Sequence, residues 1–218
     1  MEGDSRLLAA LRLSAQGLGA QRVGAQGVGA QGVGGVSLSD AAGVVERLLA
    51  LQAQDYSAGL QATALRGAGL TASAVAEALD AGDLVRTWPM RGTLHLIRPA
   101  DLAWLLPLGR DRVHRSASGR HRELGLVEAD FELAARAARD RLADGRTTRA
   151  ELLAAIAAAG VSTDGQRGAH LLGVLARNGV VVQTTKDVYA RFDEIVPTEA
   201  VSREEALARL ALRYVAGH

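Results

Sequence analysis

Gln166-Arg167-Gly168-Ala169-His170-Leu171-Leu172-Gly173-Val174-Leu175-Ala176-Arg177-Asn178-Gly179-Val180-Val181-Val182-Gln183-Thr184-Thr185-Lys186-Asp187-Val188-Tyr189-Ala190-Arg191-Phe192 changes period half-way along. Up to Arg177 the apolar residues Leu171, Leu172, Val174 and Leu175 mark the inner face of a helix over 166–177. Asn178-Gly179 stops it. Residues 180–184 and 188–192 then read as two short strands around a Thr185-Lys186-Asp187 turn. Upstream, Asp164 precedes this helix, Thr148 caps a helix over 149–159 that ends at Gly160, and 131–143 is helical again. The segment is therefore three helices followed by a two-stranded hairpin.

The same order occurs once before. Ser39 is placed to cap a helix over 41–51, with Val44, Val45, Leu48, Leu49 and Leu51 inward. Asp55 caps a second, to about Arg66, and Thr71 a third, over 72–80. Strands follow at 84–88 and 93–97, around Pro89-Met90-Arg91-Gly92, and Pro99 opens another helix. Three helices and a hairpin make a winged helix, so the predicted fold is mainly α with small β-hairpins (α+β), as tandem winged-helix (helix-turn-helix) domains. Residues 1–38 read as an N-terminal helix, about 5–16, and a flexible repeat of the Gly-Ala-Gln-Gly-Val kind over 17–35. Residues 39–125 form the first winged helix with a basic linker helix, and 126–200 the second. Residues 201–218, with Leu207, Leu210 and Leu212 on a helix capped at Ser202, read as the start of an incomplete third domain.

Composition narrows the class. Of 218 residues, 48% are apolar but only 3% aromatic, so Leu, Val, Ile and Ala must build the core. The absence of cysteine excludes a disulfide framework and a Cys-based zinc site. The five histidines are scattered, so neither metal nor cofactor is expected. No run is apolar enough for a membrane span, and the acidic N-terminus is unlike a signal peptide, which predicts a cytoplasmic protein. The net charge of +1 decides nothing about nucleic acid. Lys186 is the only lysine; the arginine-rich balance suits phosphates and base edges, and also suits a GC-rich genome.

Four constellations could carry chemistry. Gln52 and Gln54 would point about 200° apart on a helix but to one side of an extended segment. They converge on one ligand only if the helix breaks near Gln52; solvated helix-end glutamines are the alternative. Arg86, Trp88, Arg91 and His95 share a hairpin that could grip a phosphate backbone. Trp88 reads better as core, while Arg91 and His95 fit either reading. Arg110, Arg112, Arg115, Arg120 and Arg122, with His114 and His121, form the densest basic run, suited to phosphates or to a solvated helix face. Gln166 and Arg167 open the third helix of the second unit, where helix-turn-helix proteins reach base edges; packing is the alternative.

Leu11-Arg12-Leu13-Ser14-Ala15-Gln16-Gly17-Leu18, Leu48-Leu49-Ala50-Leu51-Gln52-Ala53-Gln54-Asp55, Val85-Arg86-Thr87-Trp88-Pro89-Met90-Arg91-Gly92-Thr93-Leu94-His95 and Gly165-Gln166-Arg167-Gly168-Ala169-His170-Leu171-Leu172 occur in this order. Together they resemble the AlkZ/YcaQ family of winged-helix DNA glycosylases. The resemblance implies tandem winged helices on a curved DNA-binding surface, and excision of N-alkylated purines or unhooking of interstrand crosslinks. The family's catalytic motif is Gln, an apolar residue, then Gln or Asp, which here falls on Gln52, Ala53 and Gln54. Members typically carry a third winged helix and a further C-terminal region, which this chain would lack. The resemblance thus implies a monofunctional DNA N-glycosylase acting as a monomer on double-stranded DNA, without membrane or protein partner. A non-catalytic winged-helix regulator and an inactive truncated remnant are the competing readings.

Overall fold

The structure, a computed structural model, describes residues 39–217. The expected N-terminal helix and the Gly-Ala-Gln repeat lie outside the described residues.

Helix α1 (Ala41–Leu48) is capped by Asp40, whose carboxylate accepts the Gly43 N–H at 2.7 Å; the cap is not Ser39. The helix also stops earlier than its apolar pattern suggests. Leu49 turns the chain at φ 66°, and Ala50–Gln52 becomes strand β1. An apolar run such as Leu48-Leu49-Ala50-Leu51 fits either period, and pairing with a neighbouring strand decides it. Asp55 then caps α2 (Tyr56–Ala64), and Thr71 caps α3 (Ala72–Ala81). Strands β2 (Val85–Met90) and β3 (Thr93–Ile97) form the predicted hairpin. Its two central residues, Arg91 and Gly92, both have positive φ (56° and 69°), as a type I′ turn requires.

Helix α4 (Pro99–Glu123) connects this unit to the second. There α5 (Glu128–Leu142), β4 (Thr147–Thr148), α6 (Arg149–Ala158), α7 (Arg167–Arg177), β5 (Val181–Gln183) and β6 (Val188–Arg191) repeat the order helix, strand, helix, helix, hairpin. Thr148 and Glu151 close a reciprocal capping box on α6. A short α8 (Phe192–Ile195) and α9 (Arg203–Gly217) follow.

The six strands make one antiparallel sheet in the order β1-β3-β2-β5-β6-β4. The hairpins of the two units meet edge to edge through a pairing of Arg86 with Gln183. One set of inward residues packs on each three-helix group: Leu84 and Leu96 with Val45, Leu60, Val75 and Leu79 in the first, and Val181 and Tyr189 with Leu142, Leu152, Ile156 and Leu171 in the second. The alternate set, Val85, Ile97, Val182 and Ala190, packs under Leu102, Trp104, Leu105 and Leu106 of α4 and Ala206 of α9. Residues 201–217 therefore lie against the body through α9, with Arg213 donating to the Asp101 carboxylate at 3.0 Å. Among the described residues no helix is long and apolar enough to cross a membrane.

Candidate functional site

Gln52 ends β1, the edge strand of the sheet, in register with His95 of β3. Its side chain is exposed, and among the described residues nothing bonds its amide. Gln54, two residues on, has left the strand but is anchored. Its Oε1 accepts the Leu94 N–H at 3.0 Å, which fixes which end of the amide is the carbonyl. The helix does break before Gln52, which lies in β1, while Gln54 stands at the bend that follows the strand.

Three contacts hold this segment. The Ala53 N–H donates to the Leu94 carbonyl at 2.8 Å. Arg86 donates from Nε to the Ala53 carbonyl at 2.8 Å and from Nη2 to the Gln54 carbonyl at 2.9 Å. Its third nitrogen, Nη1, donates to Gln183 Oε1 at 2.6 Å, across the junction between the two hairpins. Below, Ala53 touches Gly59 of α2 so closely that a Cβ on Gly59 would stand 2.5 Å from the Ala53 Cβ. The small residue between the glutamines is therefore demanded by a helix packed against it.

These contacts correct one expectation. Arg86 was expected at a phosphate, but it is only 6% exposed and each of its three side-chain nitrogens donates to the chain itself. Its guanidinium lies 5.7 Å from the Tyr56 ring centre, and burial pushes its pKa down. Arg86 is a clamp under the motif. His95 is also buried, at 4% exposure. Its Nδ1–H donates to the Thr93 carbonyl at 2.9 Å. Burial, and to a lesser degree Arg91, lowers its pKa, so the ring is neutral with Nε2 as an acceptor. Arg91 stands exposed at the hairpin tip. Trp88 is half-buried against the core of the second unit, as its core reading expects.

The arginines of α4 divide. Arg110, Arg115 and Arg122 line a groove of about 590 Å³ between α4, α5 and α7, while Arg112 is exposed away from it. Arg120 reaches across instead: it pairs with Glu123 at 2.6 Å and donates to Gln166 Oε1 at 2.9 Å. Arg167 donates to the carbonyls of Ser162 and Leu124 and lies 3.6 Å from Asp130. Its fork fastens the start of α7 to the loop after α4, so packing accounts for it rather than base contact. Sequence reasoning missed Gln183, Gly59 and Arg177, since each gains its part from packing between elements, as Gln183 does where the two hairpins pair, and none carries a local signal.

A family model described as DNA glycosylase AlkZ-like matches residues 45–218. The chain belongs to the AlkZ-like DNA glycosylase family. Over 68 residues it is 41% identical to the interstrand DNA cross-link repair glycosylase of Streptomyces sahachiroi; that stretch is 31% of this chain and 18% of that protein. It also resembles the solved structure of the Streptomyces sahachiroi DNA glycosylase AlkZ, with a TM-score of 0.70 and 24% identity over 95% of this chain. That likeness shows the tandem winged-helix fold. The chain spans 55% of that relative's length.

Proposed function

We propose that this AlkZ-like protein is a monofunctional DNA N-glycosylase that releases N-alkylated purines from duplex DNA, with Gln52 and Gln54 as its catalytic residues. The observation that supports this most is an exposed Gln52 at the end of β1 and an anchored Gln54 at the bend after it, backed by a buried arginine clamp. Enzymes that stabilise developing charge need dipoles fixed before the reaction begins. Here Arg86 and the Leu94 N–H fix Gln54, whose amide carries the preset dipole.

An N7-alkylated purine is already cationic. When the C1′–N9 bond breaks, its electron pair passes to the base, which leaves neutral without being protonated. C1′ becomes oxocarbenium-like, and a water oxygen then bonds to it and gives up a proton. The anchored Gln54 supplies a fixed carbonyl dipole for the sugar cation. The Gln52 amide, exposed and unbonded among the described residues, is able to turn and hold the attacking water. Neutral His95 stands opposite Gln52 in the pairing, with its Nε2 lone pair free to accept from that water. Asp55 caps α2, accepting the Ala58 N–H at 2.7 Å, and needs no catalytic part.

The test is to incubate the protein with a duplex containing N7-methylguanine and measure free base by mass spectrometry. Release of the methylated base, and none from undamaged DNA, is expected. Tight, sequence-selective duplex binding without release would make the protein a winged-helix regulator instead.

A further inference from the structure

Arg177, at the end of α7, is 5% exposed, and among the described residues no carboxylate pairs with it and no acceptor meets its Nε. Burial pushes its pKa down to about 10, so it is still a cation at neutral pH. Its Nη1 lies over Gly173, where a Cβ would come within 3.1 Å. The glycine gives the guanidinium its bed on the helix.

Around this charge stand three histidines from two helices. His114 donates from Nε2 to Asn178 Oδ1 at 3.1 Å. His121 is 7% exposed, its Nε2 is buried without a partner, and its ring meets that of His170 edge-on at 5.3 Å. Arg177 acts on all three electrostatically. His114 and His121 line the groove between α4, α5 and α7, as do Arg110, Arg115 and Arg122 of α4. The acids at its rim are Asp111, already 3.5 Å from Arg110, and Glu128. Arg177 does not itself line the groove, but its neighbours Val174 and Asn178 do, so a buried cation with no counter-charge among the described residues lies beside a groove lined by three arginines, an arrangement that favours an anion there.

We propose that this groove binds a phosphate group, with Arg177 as its buried positive charge and His121, Arg115 and Arg122 as its walls. Resting on the glycosylase reading, the group is a backbone phosphodiester of the DNA substrate; the same chemistry would take free phosphate. Arginine forks and imidazole N–H groups match phosphate oxygens, and a site of this kind positions the duplex without reading its sequence.

The experiment has two arms on the full chain, with Arg177→Met and Arg115→Ala. In the first, thermal unfolding is followed as inorganic phosphate replaces chloride at constant ionic strength. The parent's midpoint is expected to rise with phosphate, and both variants to lose that rise. Arg177→Met should unfold at or above the parent's temperature without phosphate, since it removes an unpaired buried charge; a purely structural arginine would instead lower the midpoint in both buffers and keep the response. In the second arm, duplex binding is measured against salt, and each variant should lower the logarithmic salt slope by about 1. No phosphate response in the parent together with unchanged salt slopes overturns the proposal. A phosphate response lost in the variants, with unchanged duplex binding, assigns the site to free phosphate. A parent that binds no duplex contradicts the glycosylase reading, while the phosphate arm still decides the site.

Discussion

Arg86 makes three hydrogen bonds with three nitrogens, two of them to the carbonyls of Ala53 and Gln54. Hydrogen bonds to a charged group contribute about 1.5–3 kcal/mol each, and acceptors left bare inside cost more. Arg86→Lys keeps the charge but cannot span both carbonyls. It is expected to destabilise the protein by about 1–3 kcal/mol and to slow base release at least about tenfold at temperatures where it stays folded. Thermal unfolding read beside the release rate checks this; a folded variant with the parent's rate would show that the clamp plays no part. The sequence made the glutamine pair legible through the residues around it. It could not show that Arg86 turns inward, because nothing local distinguishes an arginine that meets a phosphate from one that meets a carbonyl 33 residues away. The same holds for Arg167, whose partners Leu124 and Asp130 come from outside its helix.

Helix α2 is the element on which the motif rests. Replacing Gly59 by Ala should favour the helix by about 1 kcal/mol. The added Cβ, however, would meet Ala53 at 2.5 Å from its Cβ and 3.0 Å from its Cα, where backbone must move. Overpacking of this kind costs about 1–3 kcal/mol, so Gly59→Ala is expected to be net destabilising and to displace Gln52 and Gln54. Lowered unfolding temperature with impaired base release is the expected result; a stabilised, fully active variant would contradict the close approach. Helices were legible here because caps and apolar spacing agree, as at Asp55, Thr71 and Thr148. Strands β1 and β4 were not, since two or three residues carry no period, and each is defined by its partner, β3 or β6. That is also why α1 ends at Leu48 rather than Leu51.

For the molecule as a whole, joining the two hairpins into one sheet leaves a buried cationic cluster where α4 and α7 meet. Burial first, then His170, Arg177 and His114, push His121 down to about 4. Its unfolded value is higher, so the unfolded state binds the extra proton. Stability from neutral His121 is complete above about pH 6.5 and is lost as pH falls towards 4, about 2–3 kcal/mol in all. His121→Phe should flatten the unfolding midpoint between pH 6.5 and 4.5 relative to the parent; parallel curves would rule out this linkage. The central claim concerns the edge of the sheet, where Gln52 is exposed at the end of β1 and Gln54 is anchored at the bend after it. Single-turnover release of N7-methylguanine from duplex DNA tests it most directly, comparing the parent with Gln52→Ala, Gln54→Ala and the double variant. The prediction is a fall of about 10²-fold or more for each single change, with the double variant little worse, since the two act as one unit. Folded variants that release base at the parent's rate would contradict it.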